Sequence, residues 1–126
     1  MFSLGPRSKM RLNGVHSDLV KVVERAIQIT TVDFTVLEGV RSPERQKALY
    51  EAGASQTLNS RHITGHAVDL GAWVDSQGDW SWPLYDKIAE AMKLAGSQLN
   101  VPIEWGGNWE KFKDGPHFQL PWKEYP

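Results

Sequence analysis

Cysteine is absent from this sequence, and its absence removes several kinds of chemistry together. Disulfide frameworks, thiol nucleophiles, Cys-ligated zinc and iron–sulfur clusters are all excluded. Neither sign of charge dominates: 14 Lys and Arg stand against 15 Asp and Glu, for a net charge of -1. A protein that tracks phosphates carries a basic footprint, so no nucleic-acid partner is expected. Long apolar runs are missing as well. None approaches the ~20 residues that span a bilayer, and the stretch from Met1 to Lys9 has no apolar core of a secretory signal. The expectation is a chain made in the cytoplasm, with no stable membrane association. Any metal site in it must be built from histidine and carboxylate alone.

Nothing divides the 126 residues: no repeat, charge block or low-complexity linker. One domain over residues 1–126 is expected, large enough for a hydrophobic core without staples. From Ser17, read as an N-cap, Leu19, Val22, Val23, Ala26 and Ile27 recur at helical spacing. Asp33 to Val40 is β-rich and short, and reads as a strand. Ser42-Pro43-Glu44-Arg45 combines a cap serine with proline at the first helical position, opening a helix that should run to Gly53. His66 to Leu70 reads as a strand, Trp73 to Trp82 as a polar surface turn, and Pro83 to Leu99 as a second long helix. Val101 to Trp105 and His117 to Leu120 are the last strand candidates, separated by a Gly-rich turn. This order fits an α+β fold, a small antiparallel sheet with helices packed on it, more economically than a wound parallel sheet.

The segment richest in chemistry is Ser60-Arg61-His62-Ile63-Thr64-Gly65-His66-Ala67-Val68-Asp69. Gly65 permits a tight turn at positive φ, so the chain can fold back into a strand on which Ala67 and Asp69 share one face. His62 and Asp69 would then converge on one metal, with small Ala67 leaving room for substrate. In Asp114-Gly115-Pro116-His117, proline holds the residue before it out of α geometry and delivers His117 into an extended segment. His117 would complete a set of three protein ligands with one open position, the catalytic form of a zinc site. Asp114, three residues upstream, is placed to act as general base and later as acid. Bland readings stand beside these. A single His or Asp in a turn is usually a hydrogen-bonding residue, Asp114 can simply shape its turn, and His62 with His66 has the spacing of a helical metal pair.

Taken together, these segments resemble the M15 (VanY/VanX-like) zinc peptidases of the LAS superfamily, whose fold is of the Hedgehog and D-Ala-D-Ala peptidase type. The pattern is Ser-x-His-x-x-Gly-x-Ala-x-Asp followed late in the chain by acid-x-x-His. The closer similarity is to the phage endolysins and cell-wall enzymes that are L-alanyl-D-glutamate peptidases. Leu12 to Leu19, Asp33 to Ser42, Gln46 and Trp105-Gly106-Gly107-Asn108-Trp109 support it in the right order along nearly the whole chain. Asn108 departs from the aspartate expected there, so no charged role is assigned to it.

The resemblance implies that His62, Asp69 and His117 ligate Zn²⁺, that Asp114 is the catalytic acid/base, and that Arg41 faces the scissile carbonyl. A surface salt bridge to Glu44 is the other reading of Arg41. Ser60 and Gln46 are expected at the substrate, with Trp105 and Trp109 as groove residues. The remaining tryptophans, Trp73, Trp80, Trp82 and Trp122, either join that groove or pack at the core and rim. The implied activity is a peptidoglycan-degrading zinc endopeptidase acting on stem peptides as a monomer. It would be held in the host cytoplasm until a holin-type partner releases it to the wall in the periplasm. The alternatives are a D-Ala-D-Ala carboxypeptidase, for which no clamp on a free carboxylate is visible, and a non-catalytic zinc-stabilised wall-binding module.

Overall fold

The computed structural model describes all of residues 1–126. Its elements run α1 (Pro6–Arg11), α2 (Ser17–Ile29), β1 (Phe34–Glu38), α3 (Pro43–Glu51), β2 (Ala67–Val74), β3 (Gln77–Asp79), α4 (Trp82–Leu99), β4 (Glu104–Trp105) and β5 (His117–Gln119). The five strands form one antiparallel sheet in the order β1-β2-β5-β4, with β3 also paired to β2. The fold is α+β, as the sequence indicates.

Strand β2 organises the sheet. One of its edges pairs with β1 over Asp69 to Ala72; the other pairs first with β5, over Ala67 to Asp69, and then with β3, over Ala72 to Val74. Alternation along β2 sends Val68, Leu70 and Ala72, all fully buried, into the core. There they meet Phe34 and Val36 of β1, Phe118 of β5, and the apolar stripes of α2 and α4. The opposite face carries Asp69, Gly71 and Trp73. A register shift between Val36 and Glu38 places Glu38, not Leu37, opposite Asp69. This bulge turns Glu38 onto the face that holds Asp69.

Several local expectations change. Helix α2 is capped by His16, whose Nδ1 accepts from Asp18 N at 3.1 Å, and Ser17 is its first helical residue. Ser42 does cap α3, accepting from Arg45 N, but the helix ends at Glu51, before Gly53. Trp73 to Trp82 is not a plain turn. Strand β2 continues to Val74 and folds back through Asp75 and Ser76, both at positive φ (51° and 65°), into β3. Two positive φ angles make the hairpin bend that matches strand twist, here without the glycine that usually signals it. The proposed strand from Val101 shrinks to Glu104–Trp105, because Pro102 has no N–H to give to a ladder. Helix α1 is too short for periodicity to reveal it.

Candidate active site

The turn after α3 delivers the first ligand candidate. Ser60 Oγ accepts from His62 N at 3.2 Å, and Gly65 sits at φ 78°, letting the chain reverse into β2. A helical His62/His66 pair is therefore not formed: residues 61–65 are a turn, and His66 bonds Thr64 at 2.7 Å, outside the site. Asp69 and His117 are directly opposed in the β2–β5 ladder, so strand pairing alone brings them together.

The three side chains converge. His62 Nε2 lies 3.2 Å and His117 Nδ1 3.4 Å from the same Asp69 oxygen, Oδ1, and all three candidate ligand atoms fall within 4.8 Å of one another. Ligand atoms around a tetrahedral ion with bonds of about 2.0–2.1 Å stand roughly 3.4 Å apart. The remaining ring nitrogens are spoken for. His62 Nδ1 donates to Gly39 O at 2.9 Å, and His117 Nε2 to Gln119 Oε1 at 2.8 Å. The Gln119 amide is oriented in turn by Glu104, whose Oε2 accepts from Gln119 Nε2 at 3.4 Å. Each histidine thus turns its other ring nitrogen toward Asp69, as a donor to the carboxylate, and loss of that proton would expose the lone pair a metal requires of its ligands. Burial by itself would raise the Asp69 carboxyl, but hydrogen bonds from His117 and His62 hold it well below the usual aspartate range. The donor set fits a divalent metal ion.

Asp69, His62 and His117 open onto a cleft of about 870 Å³ that Asp114, Arg41, Ser60 and Trp109 also line. Burial, reinforced by the Asp69 charge, pushes Asp114 above the ordinary aspartate value. Arg41 is buried and fixed on three sides. Its Nε donates to Glu38 Oε1, its Nη1 to Gln46 Oε1 at 2.7 Å, and its Nη2 lies 3.7 Å from Asp69 Oδ2. Its acidic partner is Glu38, which the bulge presents, and not Glu44. Of five guanidinium N–H groups, Glu38 and Gln46 take one each.

Two of the expected substrate contacts are corrected. Gln46 is fully buried, spanning Arg41, Ser55 Oγ and Thr57 O, so it props Arg41 from beneath the cleft and does not line it. Trp105 pairs with Phe118 in the ladder and therefore shares its core face; the rings stack at 6.3 Å and the indole N–H donates to Gly115 O. Ala67 is likewise fully buried and leaves no open space for substrate. Trp109 does reach the cleft, its ring 5.1 Å from that of His117 and its N–H on Glu104. Of the other tryptophans only Trp122 joins the cleft wall, under the Arg61 guanidinium at 4.0 Å.

Glu38, Glu104, Gln119 and Arg61 are participants that motif reading passes over. Gln119 had a signal, since it lies two residues beyond His117 on the same strand face. Arg61 donates to the carbonyls of Leu120 and Tyr125, fastening the C-terminal segment beside the cleft.

The L-alanyl-D-glutamate peptidase of Escherichia phage T5 is 28% identical over 117 residues, covering 90% of this chain and 85% of the relative. That of Listeria phage A118 is 34% identical, covering 75% of this chain but 32% of the longer relative. The crystal structure of Serratia marcescens L-Ala D-Glu endopeptidase ChiX superposes with a TM-score of 0.92 at 48% identity, over 96% of this chain and 91% of that one. The D,D-dipeptidase VanXYg shares the fold, with a TM-score of 0.57 at 19% identity over 84% of this chain and 50% of its own. The profile described as phage L-alanyl-D-glutamate peptidase matches residues 1–120, and the chain belongs to that family.

Proposed function

We propose that this chain is a peptidoglycan-degrading zinc endopeptidase that hydrolyses the L-Ala–D-Glu bond of stem peptides, with His62, Asp69 and His117 as the zinc ligands. The observation that carries this reading is the meeting of three ligand atoms within 4.8 Å in a cleft that also holds an acid and a clamped guanidinium. The phage T5 and phage A118 L-alanyl-D-glutamate peptidases and the Serratia L-Ala D-Glu endopeptidase support the bond assignment.

A bound zinc ion supplies Lewis acidity, which polarises the scissile carbonyl and brings the pKa of water from 15.7 to about 7. Asp114 takes a proton from the attacking water as the new C–O bond forms. It returns that proton to the D-Glu nitrogen as the C–N bond breaks. A carboxyl raised by burial suits both halves of that cycle better than an ordinary aspartate. Arg41 meets the negative charge that develops on the carbonyl oxygen; because Glu38 and Gln46 already fix it, little reorganisation is needed during the reaction. Ser60 and Trp109 border the peptide, while Gln46 acts through Arg41.

In the cell, the enzyme waits as a monomer in the host cytoplasm, and a holin-type partner opens its way to the wall. Recovery of the protein from the periplasm of intact cells lacking a holin would contradict that route. The catalytic reading is tested on purified peptidoglycan. Solubilisation should stop with a chelator and return on adding Zn²⁺, whereas undiminished activity after complete metal removal overturns it.

A further inference from the structure

A second groove, of about 510 Å³, lies on the same sheet face as the catalytic cleft. It runs between α1, β1 and the β2–β3 hairpin, and the bulge in β1 separates the two: Leu37 lines this groove and Glu38 the other. Two indoles define it. Trp73 is 44% exposed and Trp80 59%, large apolar areas to leave in water unless something covers them.

The glycines of the hairpin explain how Trp80 is presented. Its six-membered ring lies over both Gly71 and Gly78. A Cβ built on Gly71 would stand 3.1 Å from Trp80 Cζ3, and one on Gly78 would stand 3.2 Å from Cζ2. Bare backbone lets the ring rest on the sheet with its outer surface in solvent. Trp73 stands directly opposite Gly78 in the ladder. Beside the indoles and Leu37 the groove carries charged groups, Arg7, Asp33 and Arg11, one of whose N–H groups is taken by Val36 O. Exposed ring faces beside guanidinium donors and a carboxylate acceptor match a pyranose, whose C–H face is apolar and whose edge carries hydroxyls.

We propose that this groove binds the glycan strand to which the stem peptide is attached, resting on the reading of the cleft as an L-Ala–D-Glu peptidase. Spacing supports this occupant. In peptidoglycan the L-Ala nitrogen is acylated by the lactyl group of a muramic acid. One extended residue plus that short bridge puts the sugar ring roughly 7 Å from the scissile carbonyl. Along β2, Gly71 lies about 7 Å and Trp73 about 13 Å beyond Asp69, on the same face. The groove therefore begins within reach of a sugar linked to the scissile residue.

The test uses glycan strands stripped of peptide by an amidase, together with sugar-free stem peptide. Titration of the metal-loaded enzyme with the bare glycan should give saturable quenching of tryptophan fluorescence. Trp80→Ala should weaken this about 10-fold, with unchanged thermal unfolding confirming its fold. The same variant should lose about 10-fold in kcat/KM on glycan-linked substrate, mainly through KM, and stay within about twofold on the free peptide. No saturable binding by the wild type, glycan binding untouched in Trp80→Ala, or equal losses on both substrates would each overturn the proposal. So would self-association that Trp80→Ala abolishes while glycan has no effect, since the groove would then be an interface between copies. A failure of the cleft's reading would appear in the bond that is cut and leave the glycan titration unchanged.

Discussion

At the residue scale, the division of labour among the carboxylates follows from their surroundings. Asp69 is held ionised by two histidine contacts, as the proposed ligand role requires, whereas burial raises Asp114, the proposed acid/base, and so favours proton exchange there. Asp114→Ala should retain zinc, measured by atomic absorption, and its melting temperature, yet lose about 10²–10⁴-fold in kcat. Lysis at the wild-type rate would remove Asp114 from the mechanism. Glu38 is a different case. Burial opposes its ionisation, but hydrogen bonds from Arg41 and Arg45 prevail and lower its pKa. A carboxyl depressed in the folded state adds stability that is complete above its unfolded value, about 4.3. That stability is lost as pH falls through the lower folded value. Glu38→Gln should therefore cost about 1–2 kcal/mol near neutrality, and the gap to wild type should close in unfolding curves taken below that window. Because Glu38 also holds Arg41, kcat should fall with it.

At the element scale, the site depends on two pieces of backbone. The first is the β2–β5 ladder, which sets Asp69 against His117; the second is the turn that ends at Gly65. That glycine has φ 78°, and a Cβ on it would collide with the Gly14 carbonyl. Gly65 N also bonds His62 O, while Gly65 O receives His16 N. Gly65→Ala should cost about 1–3 kcal/mol and weaken zinc binding by displacing His62; calorimetry and a zinc titration read the two effects. Unchanged stability would show that the turn has slack.

These elements also explain what could be read in advance. Asp69 was legible because period-two alternation is strict, His117 because Pro116 delivers it into an extended segment, and Ser42-Pro43 because a cap has a chemical signature. Trp105 flanks the Gly-Gly turn near the site, but its partner across the ladder is Phe118, a core residue, so pairing turns it away from the cleft. The bulge that presents Glu38 and the Asp75-Ser76 hairpin carry no local signature. They arise from strand pairing, which couples residues far apart in sequence.

At the scale of the whole molecule, one face of the sheet is devoted to stability and the other to chemistry. Helices α2 and α4 cover the first with the apolar core. The second carries the three candidate ligands, the clamped Arg41 and, beyond the bulge, the tryptophan groove. No helix is long and apolar enough to cross a membrane. The activity is defined by the bond that this open face positions over His62, Asp69 and His117. Purified sacculi digested with the enzyme and analysed by mass spectrometry should yield new C-terminal L-Ala on the glycan and stem fragments beginning with D-Glu. Release of terminal D-Ala without any new L-Ala ends would contradict it.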